Sequence, residues 1–376
     1  MVVLGATGSI GTQTIEVADE LGLPISALAA RHPSKPLARL AQSHPEAVVA
    51  VAGGSSEERK SFSSQLNNEV RFGSDAVVEA AASPNSVVVN GIVGAAGLRA
   101  TIAALEAGNR LALANKESLV AGGPVVKSAL AKSGELFPVD SEHSALHQCL
   151  VGEPSESVQR LVLTASGGPF RGRSKDSLSA VTPEEALNHP TWDMGRRITI
   201  DSATLFNKGL EVIEAHFLFD MPYDKIDVVV HPQSILHSAV EFVDGSWKGH
   251  LGHPDMRIPI QYALTAPERK PSPPDPFTLV GRTLEFEEVD RKAFPALDMA
   301  FEAGRQGGSA PAVLNAADEV AVEAFLQRRL GFLGISEVVR LSLDAVPWRD
   351  LVTVEEVIDV DAEARSVAAG FIAGIC

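Results

Sequence analysis

Three polar residues in the middle of the chain have types and a spacing that could do chemistry: Asn207, Lys208 and Glu211. In a helix, residues three and four apart lie on one face. The amide, the ammonium and the carboxylate would then form a single patch. Such a patch suits an anionic, oxygen-rich substrate and could contribute to a site for a hard metal ion. The spacing therefore predicts catalysis.

A second candidate is the acidic pair Asp140 and Glu142, which follows an apolar run. We expect this segment to be extended, so that both carboxylates point to one side. Two facing carboxylates repel each other unless a cation or a proton lies between them. Oxygen ligands favour Mg²⁺ or Mn²⁺ over zinc, and Glu211 could supply a third ligand. The alternative, a pair of exposed loop acids, is the commoner fate of an isolated pair of this kind.

A glycine-rich loop at the start of the chain indicates a dinucleotide. Gly5, Gly8 and Gly11 follow an apolar run and precede a helical pattern. Glycines there allow a tight turn and a close backbone approach, and a helix N-terminus favours a pyrophosphate. Arg31, after the second predicted strand, is a basic residue that can accept the 2′-phosphate of NADP, which favours NADPH. The alternative for Arg31 is a solvated loop charge.

Two serines and a loop could complete a substrate site. Ser166 lies in a glycine-bearing turn, and Ser202 lies near the start of a helix predicted at about 203–219, where free N–H groups favour an anion. A plain helix cap is the alternative for Ser202. The loop that carries His189, Trp192 and Met194 is interpreted as a lid, with a core plug as the alternative.

These residues need elements to position them. Residues 1–139 alternate short apolar strands with helical patterns, which predicts a parallel sheet covered by helices on both faces. The fold class is therefore α/β, with a Rossmann-like N-terminal domain (1–139), a central α+β catalytic domain (140–265) and a C-terminal helical bundle (292–376). Five prolines in residues 267–276 exclude a regular element and predict a linker over 266–291. Residues 198–200 are among the strands predicted in the central domain.

Composition narrows the class of protein. The chain has 376 residues, enough for two or three domains, and a formal charge of −16, which argues against a nucleic-acid surface. Its 2 cysteines, Cys149 and Cys376, cannot form a disulfide framework, so we expect a reducing compartment. We find no targeting peptide and no apolar tract long enough to span a bilayer. The expected location is the cytoplasm.

Together the motifs resemble the 1-deoxy-D-xylulose 5-phosphate reductoisomerase family. The matching blocks run through most of the chain in the expected order: Gly5–Gly11, Leu113–Ser118, Val139–His143, Ser166–Phe170, 189–214, His231–His237, Pro254–Arg257 and Leu314–Ala317. The resemblance implies an enzyme of isoprenoid synthesis that depends on NADPH and a divalent metal. It would rearrange 1-deoxy-D-xylulose 5-phosphate by retro-aldol cleavage and aldol rejoining, then reduce the aldehyde to 2-C-methyl-D-erythritol 4-phosphate. The family is usually homodimeric.

The resemblance also implies roles for individual residues. The metal ligands would be Asp140, Glu142 and Glu211, with Mg²⁺ or Mn²⁺ expected and Co²⁺ as a further candidate; with Lys116 they form the catalytic set. The implied substrate contacts are Ser141, Ser166, His189, Trp192, Met194, Ser202, Asn207, Lys208 and His237. The implied NADPH contacts are Thr7, Gly8, Ser9, Ile10, Ala30, Arg31, His32, Asn115, Lys116, Glu117 and Gly195. His143 and His237 lie in matching motifs and rank second among the site residues. For His237, which lies among strand-like residues, a core residue is the alternative.

Two other functions were weighed against this one. An NADP-dependent dehydrogenase of the aspartate-semialdehyde type needs a nucleophilic cysteine, and Cys149, the internal one, lies in a predicted helix interior. A cofactor-binding sensor without catalysis would keep the glycine loop but lose its carboxylates, whereas Asp140, Glu142 and Glu211 are present. Both are weaker interpretations than the enzyme.

Overall fold

The computed structural model describes residues 1–132, 134–192, 194–271 and 273–375, which fold into two units. The first unit contains residues 1–118, 125–144 and 255–275; the second contains residues 119–124, 145–254 and the chain from 276 onward. Residues 255–275 thus group with the first unit. The four-part division of the sequence stays a prediction. None of the described helices is long and apolar enough to cross a membrane.

The first unit is built on a seven-stranded parallel sheet in the order β4-β3-β2-β1-β5-β6-β7. Its strands are β1 (Val2–Leu4), β2 (Ala27–Ala30), β3 (Val48–Val51), β4 (Val70–Phe72), β5 (Val87–Asn90), β6 (Arg110–Leu113) and β7 (Glu135–Pro138). The central strands are short apolar runs with almost every residue buried, as parallel strands covered on both faces require. The chain order reverses between β1 and β5, where α/β sheets open a crevice for a ligand.

Helices cover this sheet. They are α1 (Ser9–Glu20), α2 (Lys35–Ser43), α3 (Ser56–Ser63), α4 (Ser74–Ala81), α5 (Leu98–Glu106), α6 (Lys116–Leu130) and α11 (Arg257–Thr265), with α7 (Ser141–Leu150) following β7. Ile260 and Ala263 of α11 pack with Val17 of α1 and with Val89 and Ala112 of the sheet. The return of the chain to the first unit after residue 254 was not predicted.

The second unit combines a four-stranded mixed sheet with helices. The sheet order is β11-β10-β8-β9, with β8 (Val158–Ala165), β9 (Ile226–Val230), β10 (Leu236–Phe242) and β11 (Trp247–Leu251). The helices are α8 (Pro183–Ala186), α9 (Arg196–Thr204), α10 (Phe206–Phe219), α12 (Ala296–Gln306), α13 (Ala310–Leu326), α14 (Phe332–Ala345) and α15 (Val354–Ile375). One apolar core joins the sheet, α10 and the C-terminal helices. The predicted fold class is therefore confirmed: a parallel sheet with helices, a second sheet, and C-terminal helices.

One predicted strand is wrong. Residues 198–200 lie in α9, although Ile and Thr favour strands. Ile200 is fully buried, and the hydroxyl of Thr199 donates to the carbonyl of Gly195, so tertiary packing and a local hydrogen bond outweigh propensity. The helix predicted at about 203–219 is α10, which begins three residues later, because Leu205 adopts a left-handed conformation with φ of 65° between α9 and α10.

The proline-rich stretch has the irregular structure predicted for it. The described residues of 267–276 form neither helix nor strand. Helices α12, α13, α14 and α15 lie within residues 292–376, for which the sequence predicted helices. Cys376 lies outside the described residues.

Candidate active site

The glycine loop between β1 and α1 has the close backbone approach that its sequence predicted. A Cβ atom on Gly11 would lie 2.2 Å from the carbonyl oxygen of Gly5, and one on Gly5 would lie 2.5 Å from that of Gly91. Gly5 has φ of +78°, which favours glycine. No side chain caps the N-terminus of α1 at Gly8, and Thr7 and Ser9 are exposed. This helix end can therefore receive an anionic group.

A turn at residues 91–97, which follows β5, faces this loop and is held by buried polar side chains. The amide of Asn115 donates to the carbonyls of Ile92 and Gly94, at 2.7 and 3.0 Å. A carboxylate oxygen of Glu117 accepts from the N–H of Gly94 at 3.1 Å, and the other accepts from Asn115. Asn115 also caps α6 through Ser118. Asn115 and Glu117 thus position the backbone next to Gly5.

The end of β2 places Arg31 and His32 at the same carboxyl edge of the sheet. Both side chains are exposed, whereas Ala30 before them is buried. The carbonyl of Arg31 accepts from Gly53 at 2.7 Å, which fixes the turn. Ile10 of α1 lies close to Gly91, since a Cβ atom on Gly91 would be 3.4 Å from the side chain of Ile10. The predicted cofactor residues of the first unit therefore follow the carboxyl ends of β1, β2 and β6.

Lys116 and Asp140 form a nearly buried ion pair at the ends of β6 and β7. The Nζ atom of Lys116 lies 2.9 Å from Oδ2 of Asp140, and the side chains are 8% and 10% exposed. Nδ1 of the fully buried His143 lies 3.2 Å from the other oxygen, Oδ1. Asp140 is thus oriented by a cation on one oxygen and by an imidazole on the other.

The expected extended geometry of Asp140 and Glu142 is wrong, because α7 begins at Ser141. Oδ1 of Asp140 accepts from the backbone N–H of Glu142 at 3.2 Å, which is the geometry of a helix cap. Ser141 donates to Glu142 at 2.7 Å. Both acids are half-buried at the start of a helix, where the helix dipole stabilises negative charge. They are not a pair of freely solvated loop acids.

In the second unit, α10 gathers the three residues that the helical spacing predicted to meet. Asn207 donates to Oε1 of Glu211 at 2.6 Å, and the ammonium of Lys208 contacts Oε2. Lys208 and Glu211 are buried, at 4% and 1% exposure. Asn207 and Lys208 lie in the first turn of α10, where the helix dipole favours anions. The patch can therefore bind an anionic group and orient a carboxylate.

Ser166 and His189 contact each other in the same unit as this patch. Oγ of Ser166 lies 3.0 Å from Nε2 of His189, and burial lowers the pKa of His189. The Nδ1 atom of the ring accepts from the N–H of Thr191 and of Trp192, so Nε2 carries the proton when the ring is neutral. Residues 189–195, part of the loop that the sequence predicts to be a lid, are called the lid segment. His189 thus links the start of this segment to the 166–170 turn.

Ser202 lies in the last turn of α9, so its predicted place near the start of a helix is wrong. Its carbonyl oxygen is 2.7 Å from where a Cβ of Gly168 would be, so the 166–170 turn packs directly on it. The helix N-terminus that could favour an anion is therefore that of α10, and Ser202 does not belong to it. The left-handed residue Leu205 that separates the helices had no sequence signal.

Trp192 and His237 pack against each other, with ring centroids 6.1 Å apart. His237 lies in β10 and is 5% exposed. Burial, and then the neighbouring His250, lower the pKa of His237 to about 4. The imidazole is therefore neutral near pH 7 and contacts Trp192 as an uncharged ring. Met194 and Gly195 complete the lid segment and lead into α9.

Cys149 is not a nucleophile in this structure. It is 7% exposed within the apolar core of the second unit, and burial raises the pKa of its thiol to about 11. A thiolate is the reactive form, and it is disfavoured here. The structure therefore argues against the aspartate-semialdehyde type of dehydrogenase.

Comparison with known proteins identifies the family. Residues 1–123 match the family model for 1-deoxy-D-xylulose 5-phosphate reductoisomerase. Residues 136–219 and 251–367 match two models for C-terminal domains of the same enzyme. A 1-deoxy-D-xylulose 5-phosphate reductoisomerase of Chloroherpeton thalassium is 48% identical over 97% of this chain and 96% of its own length. The chain belongs to the 1-deoxy-D-xylulose 5-phosphate reductoisomerase family.

Solved structures of reductoisomerases are similar over almost the whole chain. The Zymomonas mobilis enzyme in complex with NADPH has a TM-score of 0.92 and 41% identity, covering 99% of this chain and 98% of its own. A second reductoisomerase, in complex with NADPH, fosmidomycin and magnesium, has a TM-score of 0.92 and 37% identity, covering 99% and 97%. The resemblance inferred from motifs is confirmed.

Each unit of this reductoisomerase family member holds part of the predicted set. In the first unit are the glycine loop, Arg31, Asn115–Glu117 and Asp140–Glu142; in the second are Ser166, the 189–195 segment, Ser202, the α10 patch and His237. Two residues with positioning contacts were missed. Asn90 ends the apolar strand β5 and donates to Gly97, and Arg197 contacts acidic residues of α13. A polar residue at the end of an apolar run is a sequence signal that could have identified Asn90.

Proposed function

We propose that this chain converts 1-deoxy-D-xylulose 5-phosphate to 2-C-methyl-D-erythritol 4-phosphate with NADPH and a divalent metal. The observation that carries the proposal is the patch of Asn207, Lys208 and Glu211 on α10 in a full-length family member. Relatives solved with NADPH and with magnesium support the same cofactors here. The reaction breaks and remakes a carbon–carbon bond before a carbonyl is reduced.

The residues present fit a dinucleotide in the first unit. Cβ atoms at Gly5 and Gly11 would fill the cradle, and α1 has an N-terminus without a side-chain cap. Thr7, Gly8, Ser9 and Ile10 would hold the pyrophosphate, and Arg31, with Ala30 and His32 beside it, the 2′-phosphate. Asn115 and Glu117 order the 91–97 turn beneath the loop. NADPH supplies the hydride for the reduction.

The donor set also fits a hard cation. Asp140, Glu142 and Glu211 offer carboxylate oxygens alone, which suits Mg²⁺ or Mn²⁺, with Co²⁺ as a further candidate. Such an ion acts as a Lewis acid and template for the oxygens of the substrate. Lys116 orients Asp140 through its 2.9 Å ion pair, and its ammonium can donate to a substrate oxygen. Asn207 and Lys208 orient Glu211 from its own helix.

The second unit fits the phosphate and the carbon chain of the substrate. Ser166, Ser202, Asn207 and Lys208 would bind the phosphate, with His189 donating from Nε2. Ser141, adjacent to the acidic pair, would contact the substrate backbone. Trp192 and Met194, with Gly195 behind them and His237 against the indole, would cover the substrate and exclude water during the rearrangement.

We extend the proposal to assembly and location. Strand β11 is the edge of its sheet in the described chain, and its Trp247 and Leu251 are exposed apolar residues. An exposed apolar edge strand favours pairing with another copy, and so a homodimer. With 2 cysteines in the sequence, a reducing cytoplasm is the proposed location. Sedimentation at several concentrations tests the dimer.

The function is tested by identifying the product. The protein is incubated with ¹³C-labelled 1-deoxy-D-xylulose 5-phosphate, NADPH and Mg²⁺, and the carbon skeleton is followed by NMR. We expect the branched skeleton of 2-C-methyl-D-erythritol 4-phosphate. Direct reduction to an unbranched polyol phosphate would reject the rearrangement, and unchanged substrate would reject the proposed reaction.

A further inference from the structure

Arg197 is at the centre of an ion-pair network that links the lid segment to the C-terminal helices. It lies in the first turn of α9, two residues after Gly195. Its guanidinium is 3.0 Å from Oε1 of Glu319 and 3.6 Å from Oδ2 of Asp318, and it donates to Oδ1 of Asn315 at 3.0 Å. All three partners belong to α13. One side chain thus joins the start of α9 to one face of α13.

The network is buried and crowded with carboxyl groups. Asp318 is fully buried, and Asp201, one turn after Arg197 on α9, is 3% exposed with Oδ2 3.5 Å from the guanidinium. Glu319 also pairs with Arg365 of α15. A buried charge that loses its partner is strongly destabilising, so these groups hold Arg197 in one place. The contact is therefore a rigid one.

The lid segment depends on its two ends for its position. At residue 189 the imidazole of His189 holds the segment to Ser166. At residue 195 the hydroxyl of Thr199 donates to the carbonyl of Gly195 at 2.9 Å, which ties the segment to α9. The position of α9 relative to α13 is in turn set by Arg197. A lid closes about the residues at its ends, so the position of those ends determines where the closed lid lies.

We propose that Arg197 is a positioning residue for the lid: its contacts with Asn315, Asp318 and Glu319 fix the start of α9 and thereby place Trp192 and Met194 for closure over the substrate. The inference rests on the proposed function. It concerns a residue that touches α13 rather than substrate, so its effect should appear in ligands that need the lid. NADPH, for which the proposed pyrophosphate and 2′-phosphate contacts lie in the first unit, serves as the contrasting probe.

The test compares Arg197→Met with Arg365→Met in the full-length protein. Arg365 is a matched control, because it pairs with the same Glu319 and with Asp361 but lies on α15, away from α9. For Arg197→Met we expect the KM for 1-deoxy-D-xylulose 5-phosphate to rise about tenfold or more and kcat to fall. The Kd of NADPH should stay within about twofold of wild type. Arg365→Met should leave the KM, the kcat and the Kd of NADPH near wild type.

Hydrogen–deuterium exchange provides a readout that needs no turnover. Peptides covering residues 189–195 should exchange faster in Arg197→Met than in wild type or Arg365→Met. If wild type itself does not turn over, the proposed function fails, while exchange still decides the role of Arg197. Equal exchange and equal KM in the two variants would overturn the inference, as would a parallel loss of NADPH binding.

Arg197→Lys covers the case in which Arg197→Met does not fold. Lysine keeps the charge but cannot reach Asn315, Asp318 and Glu319 together, because it lacks the planar fork of arginine. We expect a KM between those of wild type and Arg197→Met, with normal NADPH affinity. A wild-type KM and wild-type exchange in Arg197→Lys would overturn the inference.

Discussion

The side-chain amide of Asn207 donates to Oε1 of Glu211 at 2.6 Å, one turn further along α10. Lys208 contacts the second oxygen of the same carboxylate, and Glu211 is 1% exposed. A buried carboxylate with both oxygens directed by neighbours has little freedom to reorient. Glu211 is therefore pre-organised for a role that depends on the direction of its oxygens, as a metal ligand would be.

Glu211→Gln should separate the metal from the cofactor. The amide keeps the size of the side chain but removes the negative charge that a hard cation needs. We expect turnover to fall about 100-fold or more, because the Lewis-acid contribution is several kcal/mol, while the Kd of NADPH changes less than about twofold. Steady-state kinetics and NADPH fluorescence titration measure the two values.

The control for Glu211→Gln is Glu241→Gln, which removes a carboxylate of the same unit that pairs with Arg160. Its activity should stay near that of wild type. Equal losses of turnover and NADPH affinity in Glu211→Gln would contradict a role limited to metal binding.

Gly11→Ala should damage the cofactor loop. A Cβ atom would lie 2.2 Å from the carbonyl oxygen of Gly5, so the loop must shift. Overpacking of this kind costs about 1–3 kcal/mol of unfolding free energy, and we expect weaker NADPH binding with it. Gly370→Ala is the control, because a Cβ there meets no atom within 4 Å. Calorimetric NADPH titration decides, and unchanged affinity in Gly11→Ala would contradict the cradle.

Arg31→Ala tests the choice between NADPH and NADH. A charge-assisted hydrogen bond contributes about 1.5–3 kcal/mol, and the exposure of Arg31 places the effect at the lower end. We expect the KM for NADPH to rise about tenfold and that for NADH to stay unchanged. Arg39→Ala, an exposed arginine of α2, should alter neither value. If Arg31→Ala behaves like Arg39→Ala, Arg31 is a solvated surface charge.

Asp318→Asn should change how stability depends on pH. Burial, and then the neighbouring Asp201, raise the pKa of Asp318 well above its ordinary value of 3.8; Arg197 and Glu319 also face it. The folded protein therefore holds a proton that the unfolded chain releases, and the unfolding free energy falls as pH rises above about 4. Asparagine needs no such proton. We expect the Tm of Asp318→Asn minus that of wild type to grow with pH.

Thermal unfolding of Asp318→Asn at several pH values gives the result. Asp344→Asn, at an exposed position on α14, is the control and should show no pH-dependent difference from wild type. A constant offset between Asp318→Asn and wild type across the pH range would show that Asp318 is ionised in the folded state as it is in the unfolded chain.

The pattern of apolar residues along the sequence predicted most of the strands and helices. The apolar runs at Val2–Leu4, Val48–Val51 and Val87–Asn90 are strands because a parallel sheet buries both of its faces. The three-and-four spacing of Asn207, Lys208 and Glu211 predicted their contact correctly, because helical geometry alone determines it. The family resemblance added the order of motifs along the chain.

Features that depend on tertiary context were not predictable in the same way. Ile198 and Ile200 favour a strand locally, yet both lie in α9, where Ile200 is buried in the core. Asp140 and Glu142 were placed in an extended segment, whereas Asp140 caps α7. The ion pairs of Arg197 join residues more than a hundred positions apart, a distance that no local pattern reports.

The central claim is tested most directly by following NADPH absorbance with 1-deoxy-D-xylulose 5-phosphate, first with Mg²⁺ or Mn²⁺ and then after chelation of the metal. We predict oxidation of NADPH that requires substrate and metal together. Folded protein that binds NADPH but does not oxidise it under any of these conditions would contradict the enzyme and would support a cofactor-binding sensor.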